Sequence, residues 1–207
     1  PATVSVTMLG KDGARPLAGA QSVAIDAGSV FDISLAGVPA GVYGVQGTSN
    51  TPVGAAVRLV RSAGEYPERS QALIHDQAWA QAALPGAADS GLLAVPRASS
   101  LTSAVTVANS GAATSVTLSS VDGSWSQDVA VAKGSAVVVE VPTEVAAVRL
   151  SAAGQESASG ISRTPSGLAA ATIVTAQAGG DLTGTLISTV PAQPDASVRA
   201  QRSILLG

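Results

Sequence analysis

The single histidine, His75, is the one side chain whose ordinary pKa suits it to act as a general base near neutral pH. Common hydrolytic mechanisms need such a base within hydrogen-bond reach of a nucleophile. Asp76 follows His75, but adjacent residues of a strand point to opposite faces, so adjacency does not make a dyad. The chain has no cysteine and no G-x-S-x-G elbow. We therefore expect a protein that is not an enzyme, with His75 in a surface loop.

Carboxylate pairs could support glycoside hydrolysis, and the nearest pairs are Glu65 with Glu68 and Glu140 with Glu144. Glu140 ends a predicted strand and Glu144 follows a proline, so both are expected at solvated turns. Calcium loops need several oxygen ligands at close spacing. The aspartates at predicted turns stand singly: Asp12, Asp26 and Asp122. No metal ion and no cofactor is predicted.

Positions 58–79 have the highest density of charged and aromatic side chains. Arg, Tyr and Trp are enriched at the energetic centres of interfaces, and loops on rigid scaffolds commonly carry binding function. We hypothesise that a loop at 58–79 binds a protein or a cell-wall component. The candidate binding residues are Arg58, Arg61, Tyr66, Arg69, His75 and Trp79. The alternative is an ordinary solvated loop with Trp79 packed into the core.

Charge and composition narrow the classes of partner. Eleven basic and fourteen acidic residues give a net charge of −3 with no basic stripe, so the counterion release that drives nucleic-acid binding has no source. Only 12% of residues are charged, about half the usual fraction. The surface must be rich in small and hydroxyl side chains, which favours an extracytoplasmic protein, secreted or anchored at the cell envelope.

No segment is long enough to cross a membrane as a helix. The apolar stretch at 167–180 carries no charge, but it falls short of the roughly 20 residues that such a helix requires. The sequence starts at Pro1 without the pattern of a signal peptide. We expect any signal or membrane anchor to lie outside this chain.

Short strands recur about every ten residues, with apolar and hydroxyl side chains in alternation. The order of strands and turns in the first half, including a predicted strand at 30–35, returns in the second. Four residue pairs align the copies: Asp12 with Asp122, Gly28 with Gly134, Pro39 with Pro142 and Arg61 with Arg163. The offset falls steadily from 110 to 102, as small loop deletions would produce. The chain thus contains an internal repeat of about 103 residues.

About seven strands per hundred residues predict an all-β fold of two tandem immunoglobulin-like or fibronectin-like β-sandwich modules. The modules are placed at 1–98 and 99–207. A small β-propeller is the alternative. Helix is expected to be scarce, and its best candidate is the stretch 70–83.

The second copy opens with a strand that has no equivalent at the beginning of the first copy, because position 1 aligns with position 111. A comparable strand pattern stands instead at 197–205. We predict that 197–205 pairs into the first module and covers an edge that would otherwise promote aggregation. A chain taken from a longer array of modules is the alternative.

Several motifs of the second copy resemble the repeated modules of an uncharacterised, envelope-associated family of actinobacterial proteins. They are the turn Asn109-Ser110-Gly111, the β run 112–118, the turn Asp122-Gly123, and Lys133-Gly134-Ser135 before a Val-rich strand. The tetrapeptide Asp76-Gln77-Ala78-Trp79 is similar to a segment of the same family. The resemblance implies an exported or membrane-anchored setting and no known activity.

Three functions remain open at this point. The first is an envelope module that binds a protein or cell-wall partner through 58–79, whose counterpart at 163–178 is nearly uncharged. The second is a spacer without a ligand. The third is a carbohydrate-binding module, which needs exposed aromatic platforms; the available side chains are Tyr43, Tyr66, Trp79 and Trp125.

Overall fold

The computed structural model describes residues 1–65, 73–83, 89–153, 166–177 and 185–194. Within these ranges the fold is all-β, as predicted, and contains no helix. The strands are β1 Ala2–Gly10, β2 Gly13–Pro16, β3 Val23–Ile25, β4 Gly44–Ser49, β5 Ala56–Glu65, β6 Leu73–Gln81, β7 Ser90–Ala94, β8 Leu101–Asn109, β9 Thr114–Ser120, β10 Ser126–Val131, β11 Ser135–Val139, β12 Ala147–Ala152, β13 Leu168–Gln177, β14 Thr185–Pro191 and β15 Gln193–Pro194.

The first four strands form one antiparallel sheet, called here the first sheet. Strand β1 lies at its centre, with β2 and β3 paired along one edge and β4 along the other. Its alternating side chains place Val4, Val6 and Met8 on one face. These residues form an apolar cluster with Leu17 and the fully buried Ala20.

Two further sheets pack face to face and form what we call the second sandwich. One has the strand order β10-β9-β12-β7-β15 and the other β11-β8-β13-β14. Their inward side chains meet in a core that includes Val105 and Leu168 from one sheet and Leu118 and Leu150 from the other. The packing of two facing sheets around one core is that of a β-sandwich, not of radially arranged propeller blades.

The internal repeat is visible in the strand order. Strand β1 lies between β2 and β4 as β9 lies between β10 and β12. Gly28 and Gly134 lie at turns and both have a positive φ, 78° and 70°. Residues with a Cβ rarely adopt this backbone conformation. The predicted strand at 30–35 is wrong, because no strand forms there, although its counterpart β11 pairs with β8.

Strands β5 and β6 form a two-stranded antiparallel hairpin. The predicted helix at 70–83 is wrong for its described part, since 73–81 is the strand β6. The predicted binding loop at 58–79 is also corrected. Its described residues lie on the two strands of the hairpin, and His75 lies in a strand and not in a loop. Cross-strand pairing with β5 overrides the helix propensity of the Ala and Gln residues.

Strand β7 precedes the predicted module boundary at 98, yet it pairs with β12 inside the second sandwich. Arg97 reinforces this link because its guanidinium donates hydrogen bonds to the carbonyls of Val141, Pro142 and Val145, at 2.8 to 3.1 Å. The predicted pairing of 197–205 lies outside the described residues. The first sheet contacts the second sandwich through a small apolar cluster of Leu9, Ala108 and Ala136.

Candidate functional site

The hairpin presents one face to solvent, called here the outer face. Directly opposed residues share a face of an antiparallel pair, and Arg58 lies opposite Trp79 while Val60 lies opposite Gln77. All four side chains are exposed, with Trp79 at 54% and Val60 at 53%. His75 is exposed on the same face because it lies at an odd position of β6, as Gln77 and Trp79 do. Trp79 is therefore not packed into the core.

Arg58 and Trp79 contact each other across the two strands. The guanidinium carbon lies 5.8 Å from the centre of the indole ring, within the range of a cation–π interaction. At an exposed site this contact is worth about 0.5–1 kcal/mol. It keeps a cation and a large aromatic surface together on the outer face.

The opposite face of the hairpin packs toward β14. The carboxylate of Asp76 accepts a hydrogen bond from the backbone N–H of Ile187 at 2.6 Å. The hydroxyl of Thr189 donates to the carbonyl of Trp79 at 3.0 Å. Ala78, between these two contacts, is only 8% exposed. The second sandwich supports the hairpin from behind, and the outer face stays exposed to solvent.

The candidate residues predicted from the sequence separate in the structure. Arg58, His75 and Trp79 share the outer face, whereas Arg61 lies opposite Asp76 in the register and belongs to the other face. Tyr66 and Arg69 lie outside the described residues. Sequence reasoning missed Val60 and Gln77. Had 73–81 been recognised as a strand, alternation would have put Gln77 on the face of His75 and Trp79, and its pairing with β5 would have added Val60.

The outer face offers a cation, an imidazole, an amide and an indole, which are groups that can make ionic, hydrogen-bonding and aromatic contacts. Asp76, the acid next to His75 in sequence, is turned to the other face and engaged with β14. In the described part of the chain no three His, Asp or Glu side chains are close enough together to hold a metal ion. The chemistry that this geometry supports best is recognition through aromatic, cationic and amide contacts.

A shallow concavity of about 190 Å³ lies between β6 and the edge of the second sandwich. Asp76 lines it together with apolar side chains such as Leu101 and Val174. Pockets for small molecules commonly enclose about 300–1,000 Å³ with several convergent polar groups. This concavity is smaller and almost wholly apolar, so it is best described as a packing gap behind the hairpin.

These observations define an all-β protein of stacked antiparallel sheets with one exposed aromatic and cationic face. The chain belongs to DUF5719, a family of unknown function, whose family model matches residues 1–142. The match runs from the first sheet through the hairpin to the residues just after β11. Neither the curated proteins nor the solved structures contain a match. Over the described ranges, no helix is long and apolar enough to span a membrane.

Proposed function

We propose that this protein is a non-catalytic interaction module of the bacterial cell envelope, and that the outer face of the hairpin binds a protein partner. The observation that carries the proposal is the exposed pair of Arg58 and Trp79, held 5.8 Å apart. Arg and Trp are the residue types most enriched at binding hot spots. Val60 adds apolar area beside them, and Gln77 adds an amide that can donate and accept hydrogen bonds.

The support behind the hairpin favours the same conclusion. A binding face loses less conformational entropy on association when its backbone is already ordered. The hydrogen bonds from Ile187 and Thr189 hold β6 against β14. The outer face is thus a pre-ordered strand surface on which side chains at alternate positions point the same way.

Carbohydrate binding is the second candidate because Trp79 is an exposed aromatic ring. The guanidinium of Arg58 lies over one face of that ring, which leaves the other face for a sugar. A protein partner fits better because Arg58, Val60 and Trp79 together present the mixed cationic, aliphatic and aromatic surface of a protein interface. The envelope setting is supported by composition, since only 12% of the residues are charged.

The test places a photo-crosslinking amino acid at Gln77 in the full chain and exposes it to solubilised envelope proteins and, separately, to purified cell-wall sacculi. The matched control carries the same amino acid at Val138, which is also an exposed strand residue. We expect one discrete protein adduct from position 77 and none from position 138. Adducts with sacculi alone would overturn the protein proposal in favour of carbohydrate.

The second arm measures affinity for the crosslinked protein after its purification. Arg58→Ala with Trp79→Ala should weaken binding at least about tenfold, the loss expected for hot-spot residues. Val138→Ser, which changes an exposed apolar residue away from the hairpin, should leave the affinity unchanged. Equal affinity of the parent protein, the double variant and Val138→Ser would refute binding through the outer face.

A further inference from the structure

The edge strand β4 has one neighbour where its counterpart has two. Strand β4 pairs with β1 along one side, and among the described residues no strand pairs along its other side. Its equivalent in the second sandwich is β12, which lies beside β9 as β4 lies beside β1. The other side of β12 pairs with β7. The first sheet therefore has an open edge at the place where the second sandwich holds β7.

The cross-strand registers show which residues of β4 and β12 correspond. Met8 and Leu118 stand 110 positions apart, the offset at which the first turns of the two copies align. Met8 lies opposite Val45, and Leu118 lies opposite Leu150. Leu150, which lies beside β7, is 1% exposed, whereas Val45 is 37% exposed. An apolar side chain is thus uncovered at the open edge.

The backbone of β4 directs hydrogen-bonding groups to this open edge. Val6 of β1 lies opposite Gly47. The N–H of Val6 donates to the carbonyl of Ala20, and its carbonyl accepts from the N–H of Leu17, both at 2.9 Å on the side of β2 and β3. Val6 and Gly47 are therefore a non-hydrogen-bonded pair, and such pairs alternate with hydrogen-bonded ones along an antiparallel ladder. It follows that Gly47 and Val45 turn their N–H and C=O groups away from β1.

In the second sandwich the equivalent groups hold β7 in place. Ala152, which the register makes the counterpart of Gly47, donates its N–H to the carbonyl of Asp89 at 2.9 Å, just before β7. Val95, just after β7, donates its N–H to the carbonyl of Ala146 at 2.8 Å. The same outward groups on β4 can receive a strand in the same register, because main-chain hydrogen bonds are the common basis of strand addition.

We propose that the open edge of β4 binds an extended strand of a partner polypeptide, added antiparallel in the register of β7. The chemistry of the partner follows from β7, where Leu93 and Val95 are fully buried and Leu92 and Ala94 are exposed. The partner strand carries large aliphatic residues at two alternate positions, as a strand with one buried face requires. The small Gly91 precedes them in the inward row of β7, and a small residue suits that position of the partner.

A basic residue after the partner strand complements the carbonyl groups beside β4. Arg97 follows β7 and donates to the carbonyl of Pro142 at 2.8 Å. Pro142 aligns with Pro39 in the repeat. The carbonyl of Pro39 accepts one hydrogen bond, from the hydroxyl of Tyr43 at 3.1 Å, and a carbonyl oxygen can accept two. A guanidinium would add a charge-assisted hydrogen bond there.

The first measurement uses the absence of native cysteine to trap the added strand. The probe is a synthetic peptide with the sequence of 89–97 in which Ser90→Cys. In the register of β7 this position faces Gln46, as Ser90 faces Ser151 in the second sandwich. Opposed residues of a non-hydrogen-bonded pair have Cα atoms about 4.5 Å apart, which permits a disulfide. Mild oxidation of the peptide with full-length Gln46→Cys should give a one-to-one adduct.

Two controls define the site and the register. Val138→Cys places the thiol on an exposed strand residue elsewhere in the chain. The peptide with Gly91→Cys places its thiol on the opposite face of the added strand. Each control should give at least about tenfold less adduct, because only a peptide bound in the stated register holds its thiol beside Gln46→Cys at a raised effective concentration.

The second measurement follows the labelled, cysteine-free 89–97 peptide by fluorescence anisotropy as it binds the full chain. Val45→Pro removes an N–H that faces the open edge and is not needed by β1. The affinity should fall at least about tenfold with the strand content unchanged in circular dichroism. Val45→Thr keeps that N–H and should bind nearly as tightly as the parent. Arg58→Ala with Trp79→Ala should leave peptide binding unchanged, which separates this site from the outer face.

The two measurements together decide the proposal. Adducts no greater than those of Val138→Cys, together with equal affinity of Val45→Pro and the parent, would overturn strand addition at β4. A disulfide-linked dimer of Gln46→Cys that forms in preference to the peptide adduct would assign the edge to a second copy and also overturn it. If Val45→Pro lost strand content, the trapping result would decide by itself.

Discussion

Asp122 lies in the turn between β9 and β10, where hydroxyl and backbone donors surround its carboxylate. The backbone N–H and the hydroxyl of Ser124 both donate to it, at 3.0 and 2.8 Å. Hydrogen bonding from the side chain of Ser120, and then from Ser124, lowers the pKa of Asp122 from 3.8 to about 2. Donors stabilise the charged form of a carboxylate, so the ionised turn is the one that folding favours.

This lowered pKa predicts a pH dependence of stability. A carboxyl whose pKa is lower in the folded state stabilises the fold above its unfolded pKa and loses that contribution as pH falls through the folded value. We therefore expect the contribution of Asp122 to disappear between about pH 4 and about pH 2. Carboxyl chemical shifts followed by NMR should show its midpoint near 2.

Two variants check the cause of this shift. Ser124→Ala removes one hydroxyl donor, so the midpoint of Asp122 should move upward toward 3.8. Asp122→Asn should remove the part of the stability change in this window that Asp122 contributes, without altering the strand content seen by circular dichroism. A midpoint that stays near 2 in Ser124→Ala would show that other donors suffice.

The residues of the outer face show what residue types alone can indicate. The density of Arg, His and Trp in 58–79 pointed to Arg58, His75 and Trp79, which the hairpin does bring to one face. It could not separate them from Arg61, because the face of a strand residue depends on odd or even position. That parity is known only once the pairing of β5 with β6 is known.

At the level of elements, Asn109 ends β8 and joins three segments of chain. Its amide nitrogen donates to the carbonyls of Ala112 and Val131, at 2.7 and 3.1 Å. Its side-chain oxygen accepts from the N–H of Gly111 at 2.9 Å. The side chain is fully buried, so water cannot replace these partners.

Asn109→Ala should destabilise the protein by about 2–4 kcal/mol, because buried polar groups that lose their partners each cost about 1–3 kcal/mol. Urea denaturation of the variant and the parent measures the difference. The control is Asn50→Ala. The side-chain oxygen of Asn50 accepts a hydrogen bond from the N–H of Thr3 at an exposed site. That change should cost less than about 1 kcal/mol. Equal effects of the two changes would contradict the role assigned to burial.

The element that sequence analysis misjudged is β6. The stretch 70–83 contains residues with good helix propensity, yet its described part is a strand with alternating exposure: Gln77 exposed, Ala78 buried and Trp79 exposed. Nine residues of β6 pair with β5, and these contacts outweigh propensity differences of a few tenths of a kcal/mol for each residue. The prediction of a strand at 30–35 was wrong for the opposite reason. Its sequence has a suitable pattern, but a strand also needs a neighbouring strand to pair with.

At the scale of the whole molecule, Asp76 fastens the hairpin to the second sandwich. Its carboxylate accepts from the N–H of Ile187, a residue 111 positions further along the chain. Hydrogen bonds to charged groups contribute about 1.5–3 kcal/mol. Asp76→Ala should therefore speed hydrogen exchange of the Ile187 amide by about 10- to 100-fold.

Asp76→Asn keeps an oxygen acceptor at the same place, so its effect on that amide should be smaller. Gln77→Ala removes the adjacent side chain from the outer face and should leave exchange at Ile187 unchanged. NMR exchange rates of all three variants give the comparison. An unchanged rate in Asp76→Ala would mean that β14 protects its own amide and that the hairpin is held elsewhere.

The all-β class and the repeat could be read from the chain alone, because strand alternation and turn glycines are local properties. The turns at Lys11-Asp12 and Asp122-Gly123 lie between paired strands, as the pattern predicts. The family match over 1–142 also rests on sequence alone. Candidate binding residues could be nominated by type, but the sequence could not show which of them share a face.

Tertiary structure decided which strands are neighbours. Strand β7 pairs with β12 across the predicted module boundary, and the hairpin lies against β14 through Asp76 and Thr189. Contacts between residues more than fifty positions apart depend on how whole sheets bury their apolar faces, and no local pattern encodes that choice. One face of the hairpin is exposed because the other face packs against the second sandwich.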